Sequence, residues 1–216
     1  MICCSISYPK SPSHNHPIAA FAKTQDYSSH IRQQLKKYAD KISQKTKILH
    51  KTKIFAGNAP VLETALAAKA GLGWYGKNSI LLHHNFGSYF SLGEIFIDLP
   101  LPIDQPIPNR CGNCFRCKDY CPTKTIIAPY KIDTKHCIAY LTIEYKGSIP
   151  LELRKIFGCD ICQQTCLWNN QLLKPHNTLF TPSNNWEQEN LITWFLWSEQ
   201  EFQEKTQACR YAHYRF

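Results

Sequence analysis

The residues with the most distinctive types and spacing are the cysteines between positions 111 and 122. They read Cys111-Gly-Asn-Cys114-Phe-Arg-Cys117-Lys-Asp-Tyr-Cys121-Pro122. In this pattern three thiolates hold one face of a [4Fe-4S] cubane, and the cysteine before the proline ligates a second cluster. Structural zinc sites usually space their ligands as two separated pairs around a tetrahedral ion. The spacing therefore predicts iron-sulfur chemistry rather than a structural zinc site.

A second group of cysteines follows along the chain, as Cys137 and then Cys159-Asp-Ile-Cys162-Gln-Gln-Thr-Cys166. Two such runs can exchange their last cysteines between clusters. We therefore expect the first cluster to be held by Cys111, Cys114, Cys117 and Cys166. The second cluster would be held by Cys121, Cys137, Cys159 and Cys162.

A disulfide framework is the alternative use of so many cysteines, and it needs an oxidising compartment. The first seven residues contain no basic region and no cleavable apolar stretch, so no export signal is visible. No run of 18 or more apolar residues exists, so we expect no membrane span. Reduced thiols then predict a cytoplasmic protein. Cys3, Cys4 and Cys209 lie outside the pattern and are expected to be ordinary buried or free thiols.

The 216 residues can hold one large domain or two small ones, and their formal net charge is +9. Part of this excess is concentrated in one stretch, where Asp40 alone opposes Arg32, Lys36, Lys37, Lys41, Lys45, Lys47, Lys51 and Lys53. Such a block suits a polyanionic partner, most simply nucleic acid phosphates. A solvated helix face has the same composition, and charge alone leaves both interpretations open.

The elements that must position the cysteines follow from hydrophobic periodicity. Apolar runs predict strands at Ile2–Tyr8, Ile80–His83 and within Tyr89–Leu99. Helical spacing predicts a helix with its basic residues mostly outward, from the positions of Ile31, Leu35, Tyr38, Ala39 and Ile42. A second helix is expected to have Pro60 in its first turn and to continue through Val61–Ala70, and Trp74–Ser79 is expected to form a loop.

Four prolines between Pro100 and Pro108 indicate a linker. We therefore expect three parts: a domain over residues 1–100, a two-cluster module over 101–175 and a helical segment over 176–216. The fold class that this predicts is α+β.

Several stretches outside the first cysteine run carry a family resemblance. They are Ala59-Pro-Val-Leu-Glu63, Lys69-Ala-Gly-Leu-Gly-Trp74, Gly76-Lys-Asn-Ser79, Leu92-Gly-Glu94, Cys137-Ile-Ala-Tyr-Leu-Thr-Ile-Glu144 and Gly158-Cys-Asp-Ile-Cys162. With the first run they cover most of residues 54–170, and they resemble the epoxyqueuosine reductases, the cobalamin and iron-sulfur enzymes of tRNA queuosine biosynthesis. The cysteines alone would indicate only a ferredoxin.

The resemblance implies an oxidoreductase that reduces epoxyqueuosine to queuosine at the wobble position of tRNAs for Asp, Asn, His and Tyr. It implies two [4Fe-4S] clusters that relay electrons to cobalamin, which would lie near Leu81, Leu92 and Ile138. It also implies a nitroreductase-like cobalamin domain, here partial, joined to a ferredoxin-like module in a monomer. The electron donor stays unknown.

The departures from the family are as informative as the matches. The family has an aspartate, its proton donor, three residues before the proline that corresponds to Pro60, and here that position is Gly57. A basic residue is replaced by Thr64, and an Asp-Tyr-His-Lys run is present only as Asp26-Tyr-Ser-Ser29. We expect a homologue shortened at both ends. An electron-transfer protein without epoxide reductase activity is the alternative, and a zinc-binding nucleic-acid module is a third.

Overall fold

A three-stranded antiparallel sheet is the centre of the N-terminal half. The computed structural model describes residues 1–10, 16–23, 27–57, 60–153, 155–170, 172, 193 and 196–206. Strands β1 (Ile2–Ser7), β2 (Thr52–Ala56) and β5 (Phe90–Ile97) are arranged in the order β1-β5-β2. The predicted first strand is confirmed, and the strand predicted within Tyr89–Leu99 is the central one.

One face of this sheet is covered by helix α1 (Tyr27–Thr46). Ile31, Leu35 and Ala39 are buried against Ala56 and Ile95 of the sheet. The predicted helix is therefore confirmed, with the basic residues of its outer face exposed. Tyr38 is 55% exposed, so its assignment to the buried face was wrong. The buried positions recur at intervals of four residues, and Tyr38 lies one residue beside that narrow stripe.

The opposite face of the sheet packs against helix α2 (Glu63–Lys69) and the hairpin of β3 (Trp74–Tyr75) and β4 (Leu81–Leu82). Helix α2 begins later than predicted, because Leu62 has a non-helical ψ of 66° and leaves Pro60 outside the first turn. Trp74 and Tyr75 were expected in a loop but pair with Leu82 and Leu81. The buried Trp74 stabilises this pairing through its packing in the interior.

The cysteine module contains short elements. They are α3 (Arg116–Asp119), β6 (Ile126–Ala128), β7 (Lys131–Ile132), α4 (Ile138–Ile143) and α5 (Ile161–Gln164), with 3-10 turns at Thr134–His136, Leu151–Leu153 and Leu167–Asn169. Residues 101–110 before it have no regular structure, in agreement with the predicted linker. The mixed helix and sheet content confirms the α+β prediction.

Helix α6 (Glu199–Thr206) is the regular element described near the C-terminus. Most of the segment predicted as helical over 176–216 lies outside the described residues, as do Asp26 and Cys209. None of the helices within the described ranges combines the length and apolar character needed to cross a bilayer.

Candidate metal centre

The structure brings together the four cysteines predicted for the first cluster. Cys111, Cys114, Cys117 and Cys166 all line one cavity of about 670 Å³. Burial, and then the proximity of Cys111 and Cys114, raises the pKa of the Cys117 thiol. Burial and the other three cysteines of this set also raise the pKa of Cys166. A thiol whose anion is disfavoured by burial and by its neighbours loses its proton readily only when a metal takes up the negative charge.

Three cysteines of the second set also lie close together. Burial raises the pKa of Cys159 to about 11, and the nearby Cys137 thiol adds to this shift. Burial raises the pKa of Cys162 still further, again with contributions from Cys159 and Cys137. Cys121 is buried, and its sulfur lies 3.8 Å from Thr123 Oγ1. Its membership of the second set stays a prediction.

Short helices and tight turns hold the first set in place. The amide of Cys114 donates to the carbonyl of Cys111, and Cys117 lies in α3. Cys166 directly follows the last turn of α5, where Arg116 Nε donates to the Thr165 carbonyl at 3.0 Å. This hydrogen bond fixes α3 against α5, so a cysteine distant in sequence completes the first set.

A loop of the N-terminal half reaches both groups of cysteines, which the sequence analysis did not predict. Lys77 is 8% exposed, and its ammonium donates to the carbonyls of Gly112 at 2.7 Å and Cys114 at 3.0 Å, above the ring of Phe115. The side chain of Asn78 lies close enough to Cys162 to lower the pKa of its thiol, against the larger raising effect of burial. Lys77 therefore holds the first cysteine loop, and Asn78 lies beside the second cysteine run. In the sequence, Lys77 and Asn78 stand between a glycine and an apolar strand. This pattern does not indicate which residues they contact.

A buried polar network connects the second cysteine run to the N-terminal half. Asn169 accepts from the Ser88 amide at 2.8 Å and donates to the Ser88 hydroxyl at 2.8 Å and to the Gln163 carbonyl at 2.7 Å. Gln163 donates to Asp160 Oδ1, and Asp160 Oδ2 accepts from the Ala20 amide. Each of these side chains is buried. The cysteine module is thus fixed to the sheet domain by directional hydrogen bonds as well as by packing.

This network predicts a large effect on stability from one substitution. Asn169→Ala leaves the Ser88 amide without its buried partner and removes one of the two hydrogen bonds to the Gln163 carbonyl, which keeps the Cys166 amide, so we expect a loss of about 1–3 kcal/mol in the free energy of unfolding. Asn170→Ala, at an exposed neighbour, is the control. Chemical denaturation of both variants measures the difference. Equal stability of the two variants would show that the network contributes nothing net.

A second cavity of about 1020 Å³ lies beside α2 and β3. Its wall includes Glu63, Thr64, Ala68 and Trp74. Among the described residues, Glu63 Oε1 and the indole Nε1 of Trp74 are buried without a hydrogen-bond partner. The ring of Trp74 contacts that of Trp168 edge-on at 4.8 Å, and Trp168 lines the cavity of the first cysteine set. The walls of the two cavities therefore meet at this pair of aromatic rings.

The residues predicted near cobalamin are distributed over two parts of the structure. Leu81 is buried with Ala67 and Phe90, and Leu92 packs against the same cluster. Ala68 belongs to this cluster and also lines the 1020 Å³ cavity. Ile138 is buried at the start of α4, in the cysteine module. The structure thus brings together Leu81 and Leu92, whereas Ile138 begins a helix of the cysteine module.

Gly57 lies at the end of β2 in a left-handed conformation, with φ at +76°. A Cβ atom at this position would lie 2.6 Å from Ser28 Oγ. Both the backbone and the available space therefore favour glycine here.

Comparison with known proteins shows which family and which relatives this chain is similar to. Residues 110–169, which contain both cysteine groups, match the family described as "4Fe-4S double cluster binding domain". The chain is 43% identical over 197 residues to the epoxyqueuosine reductase of Pseudomonas aeruginosa, a match that covers 88% of the chain and 54% of the relative. The chain therefore spans about half the length of the curated relatives that it matches.

Two solved structures share the fold. One is an epoxyqueuosine reductase with an epoxyqueuosine-modified tRNA-Tyr stem loop, with a TM-score of 0.80 and 28% identity, covering 96% of this chain and 58% of that one. The other is from Bacillus subtilis, in which the catalytic loop named for an aspartate is swung out of the active site, with a TM-score of 0.79 and 26% identity over the same shares.

Proposed function

The chain belongs by sequence and fold to the epoxyqueuosine reductase family, about half of whose length it spans, and we propose that it reduces epoxyqueuosine to queuosine in tRNA. The observation that carries this proposal is the pair of hydrogen bonds from Lys77 to the first cysteine loop, with Asn78 next to it lying beside Cys162 of the second run. A ferredoxin-like module alone needs no such connection. Here the module that would carry electrons is fixed to a domain with a large cavity.

The cysteine sets would each hold one [4Fe-4S] cluster. Cys111, Cys114, Cys117 and Cys166 would ligate the first, and Cys121, Cys137, Cys159 and Cys162 the second. Thiolate donors in a half-buried, aromatic setting fit such clusters, because burial disfavours the free thiolates and the cluster takes up their charge. A cytoplasmic location is part of the proposal, since these thiols must stay reduced.

The larger cavity fits a cofactor of corrin size. Its volume of about 1020 Å³ and its unpaired Glu63 oxygen and Trp74 N–H suit a large ligand with polar groups at its edge. When bound, cobalamin would supply the electron-rich metal centre that opens the epoxide. Trp74 would hold the cofactor on the side that faces the first cluster, and Leu81, Leu92 and Ile138 would support the surrounding apolar core. Residues 1–100 would then form a partial nitroreductase-like domain, in a monomer.

The test is anaerobic incubation of the reconstituted chain with cobalamin, a chemical reductant and a tRNA-Tyr stem loop that contains epoxyqueuosine. Mass spectrometry of the nucleoside is expected to show loss of one oxygen atom. Cluster reduction without any loss of oxygen would overturn the proposal in favour of an electron-transfer protein, the alternative that Gly57 supports.

The tRNA would be bound in part by the outer face of α1. Lys36, Lys37 and Lys41 are exposed on this helix, and Lys41 lies 6.0 Å from the exposed ring of Tyr38. Replacing these three lysines with glutamate is expected to reduce the slope of log affinity against log salt concentration by about 2–3, because each lost phosphate contact releases one counterion fewer. Filter binding with the tRNA-Tyr stem loop measures this slope.

The matched control replaces Lys131, Lys135 and Lys146, which are exposed in the cysteine module, with glutamate. It changes the net charge equally. If both triple variants alter the slope equally, α1 is only a solvated face and the long-range charge of the protein accounts for the binding.

A further inference from the structure

Glu94 is a charged residue in the centre of the apolar sheet. It lies on the middle strand β5, paired in register with Cys3 of β1 and Phe55 of β2. Its exposed fraction is 0%, and within the described residues neither of its carboxyl oxygens has a hydrogen-bond partner. An ionised carboxylate is very costly in such a place. The sequence of β5 requires no such residue, because an apolar side chain would satisfy the packing.

A second carboxyl group lies on the helix that packs over this strand face. Glu63, the first residue of α2, is on the same helix face as Ala67, and Ala67 packs against Phe90 and Leu92, which share the strand face of Glu94. Oxygen Oε1 of Glu63 is also buried without a partner among the described residues. Burial and then the charge of Glu63 raise the pKa of Glu94 to about 7. Burial raises the pKa of Glu63 to about 6, and Arg32 opposes this shift. Two desolvated carboxyl groups that repel each other cannot both ionise at neutral pH.

The groups that face this pair come from three elements. Cys3 of β1 lies beside Glu94 on the same face of the sheet, and burial together with Glu94 raises the pKa of its thiol, so it stays neutral; Cys4 lies on the opposite face, under α1. Arg32 of α1 is the cation recorded near Glu63, and its guanidinium already donates to the Ala56 carbonyl at 2.8 Å. Phe55 of β2 and Phe96 of β5 pack edge-on nearby and cannot supply a hydrogen bond. Among the described residues, neither carboxyl oxygen of Glu94 therefore has a donor that would stabilise its ionised form.

We propose that Glu63 and Glu94 share one proton and that Glu63, in the wall of the 1020 Å³ cavity, passes this proton to a group bound there. The buried Trp74 N–H, unpaired among the described residues and lining the same cavity, would orient that group. This inference rests on the proposed function for the identity of the group, which would be the epoxide oxygen. It assigns the pair the task that Gly57 cannot perform.

The chemistry balances with the components already proposed. Conversion of an epoxide to an alkene and water consumes two electrons and two protons. The electrons would come through the clusters. The shared proton moves from the Glu63 carboxyl to the oxygen as its carbon–oxygen bond breaks, and a proton from solvent, which reaches Glu63 through the open cavity, replaces it. The second proton, which leaves with the oxygen as water, also comes from solvent.

Infrared spectroscopy of the full chain tests the shared proton without any catalytic assay. At pH 7 we expect an absorption of a protonated carboxyl group that shifts in D₂O. Glu63→Gln and Glu94→Gln should each remove or displace it, whereas Glu152→Gln, at an exposed residue, should leave it unchanged. Absence of the band in the wild type at pH 7, or its survival in both variants, overturns the proposal.

The pH dependence of stability gives a second readout with a defined sign. The pKa of Glu94 is raised in the folded state from 4.5 to about 7. The folded chain therefore keeps a proton that the unfolded chain loses, so this residue's contribution to stability is present at low pH and is lost as pH rises from about 4.5 to about 7. The unfolding temperature of the wild type minus that of Glu94→Gln should fall across this window. If this difference in unfolding temperature stays constant across the window, the raised pKa of Glu94 is contradicted.

Activity then tests the transfer step. In Glu63→Gln we expect turnover of epoxyqueuosine tRNA to fall about 100-fold or more, with unchanged cluster content and unchanged tRNA binding. Full turnover in this variant overturns the transfer to the oxygen. If the wild-type chain reduces no epoxide while the infrared band behaves as expected, the proposed function fails and the proton-sharing pair stands.

Discussion

Replacing Cys166 with alanine is expected to remove one of two iron-sulfur clusters and to leave the other intact. Cys166 follows the second cysteine run in sequence, yet it lines the same cavity as Cys111, Cys114 and Cys117. The iron content should fall from about eight to about four atoms per chain, with an equal loss of sulfide. The double variant Cys111→Ala/Cys166→Ala should lose no more than either single variant, because both cysteines serve one cluster.

The contrast with the second set makes this prediction specific. Combining Cys166→Ala with Cys162→Ala is expected to remove both clusters, since Cys162 interacts with Cys137 and Cys159. Cys4→Ala, outside both sets, is the control and should retain all of the iron. If the iron losses of Cys111→Ala and Cys166→Ala add up in the double variant instead, the predicted exchange of last cysteines between the two runs is wrong. Zinc in place of iron and sulfide would reject the cluster assignment altogether.

Gly57→Asp is expected to destabilise the chain although it restores the residue that the family resemblance implies at this position. The left-handed backbone at +76° and the approach of Ser28 Oγ to 2.6 Å from the added Cβ both oppose a side chain. We expect a loss of about 1–3 kcal/mol in the free energy of unfolding. Thermal unfolding of the variant and of the wild type measures this loss.

A second substitution separates the two causes. Ser28→Gly combined with Gly57→Asp removes the collision and retains the backbone strain, so it should recover part of the loss relative to Ser28→Gly alone. Unchanged stability of Gly57→Asp would show that the loop adapts freely. The double variant also tests the source of the proton: if its epoxide reduction is no faster than that of Ser28→Gly, position 57 does not limit the reaction, as expected when Glu63 supplies the proton.

The sequence was sufficient to predict the grouping of most cysteines because their spacing reflects a local geometric requirement. Three cysteines within seven residues must lie on a short segment, which here is the turn from Cys111 to Cys114 followed by Cys117 in α3. Strands β1 and β5 were predictable for a similar reason, since short apolar runs have few alternatives. The helix over Tyr27–Thr46 followed from its buried stripe, and only its edge, at Tyr38, was assigned to the wrong face.

The residues that connect the parts were not predictable, because their partners are distant in sequence. Lys77 contacts residues 112 and 114, and Asn169 contacts residue 88, and no local pattern encodes these pairs. Glu94 did leave a signal, as an acidic residue within an apolar strand. Its meaning depended on burial and on Glu63, which only the three-dimensional arrangement shows.

The central claim is that one chain combines two clusters with a corrin site, and an EPR spectrum of the anaerobically reconstituted chain mixed with cob(II)alamin tests it most directly. We expect signals of reduced [4Fe-4S] clusters together with a cobalt signal that differs from that of the free cofactor, because the 1020 Å³ cavity changes the surroundings of the cobalt. Cluster signals beside a cobalt signal identical to that of free cob(II)alamin would contradict the account.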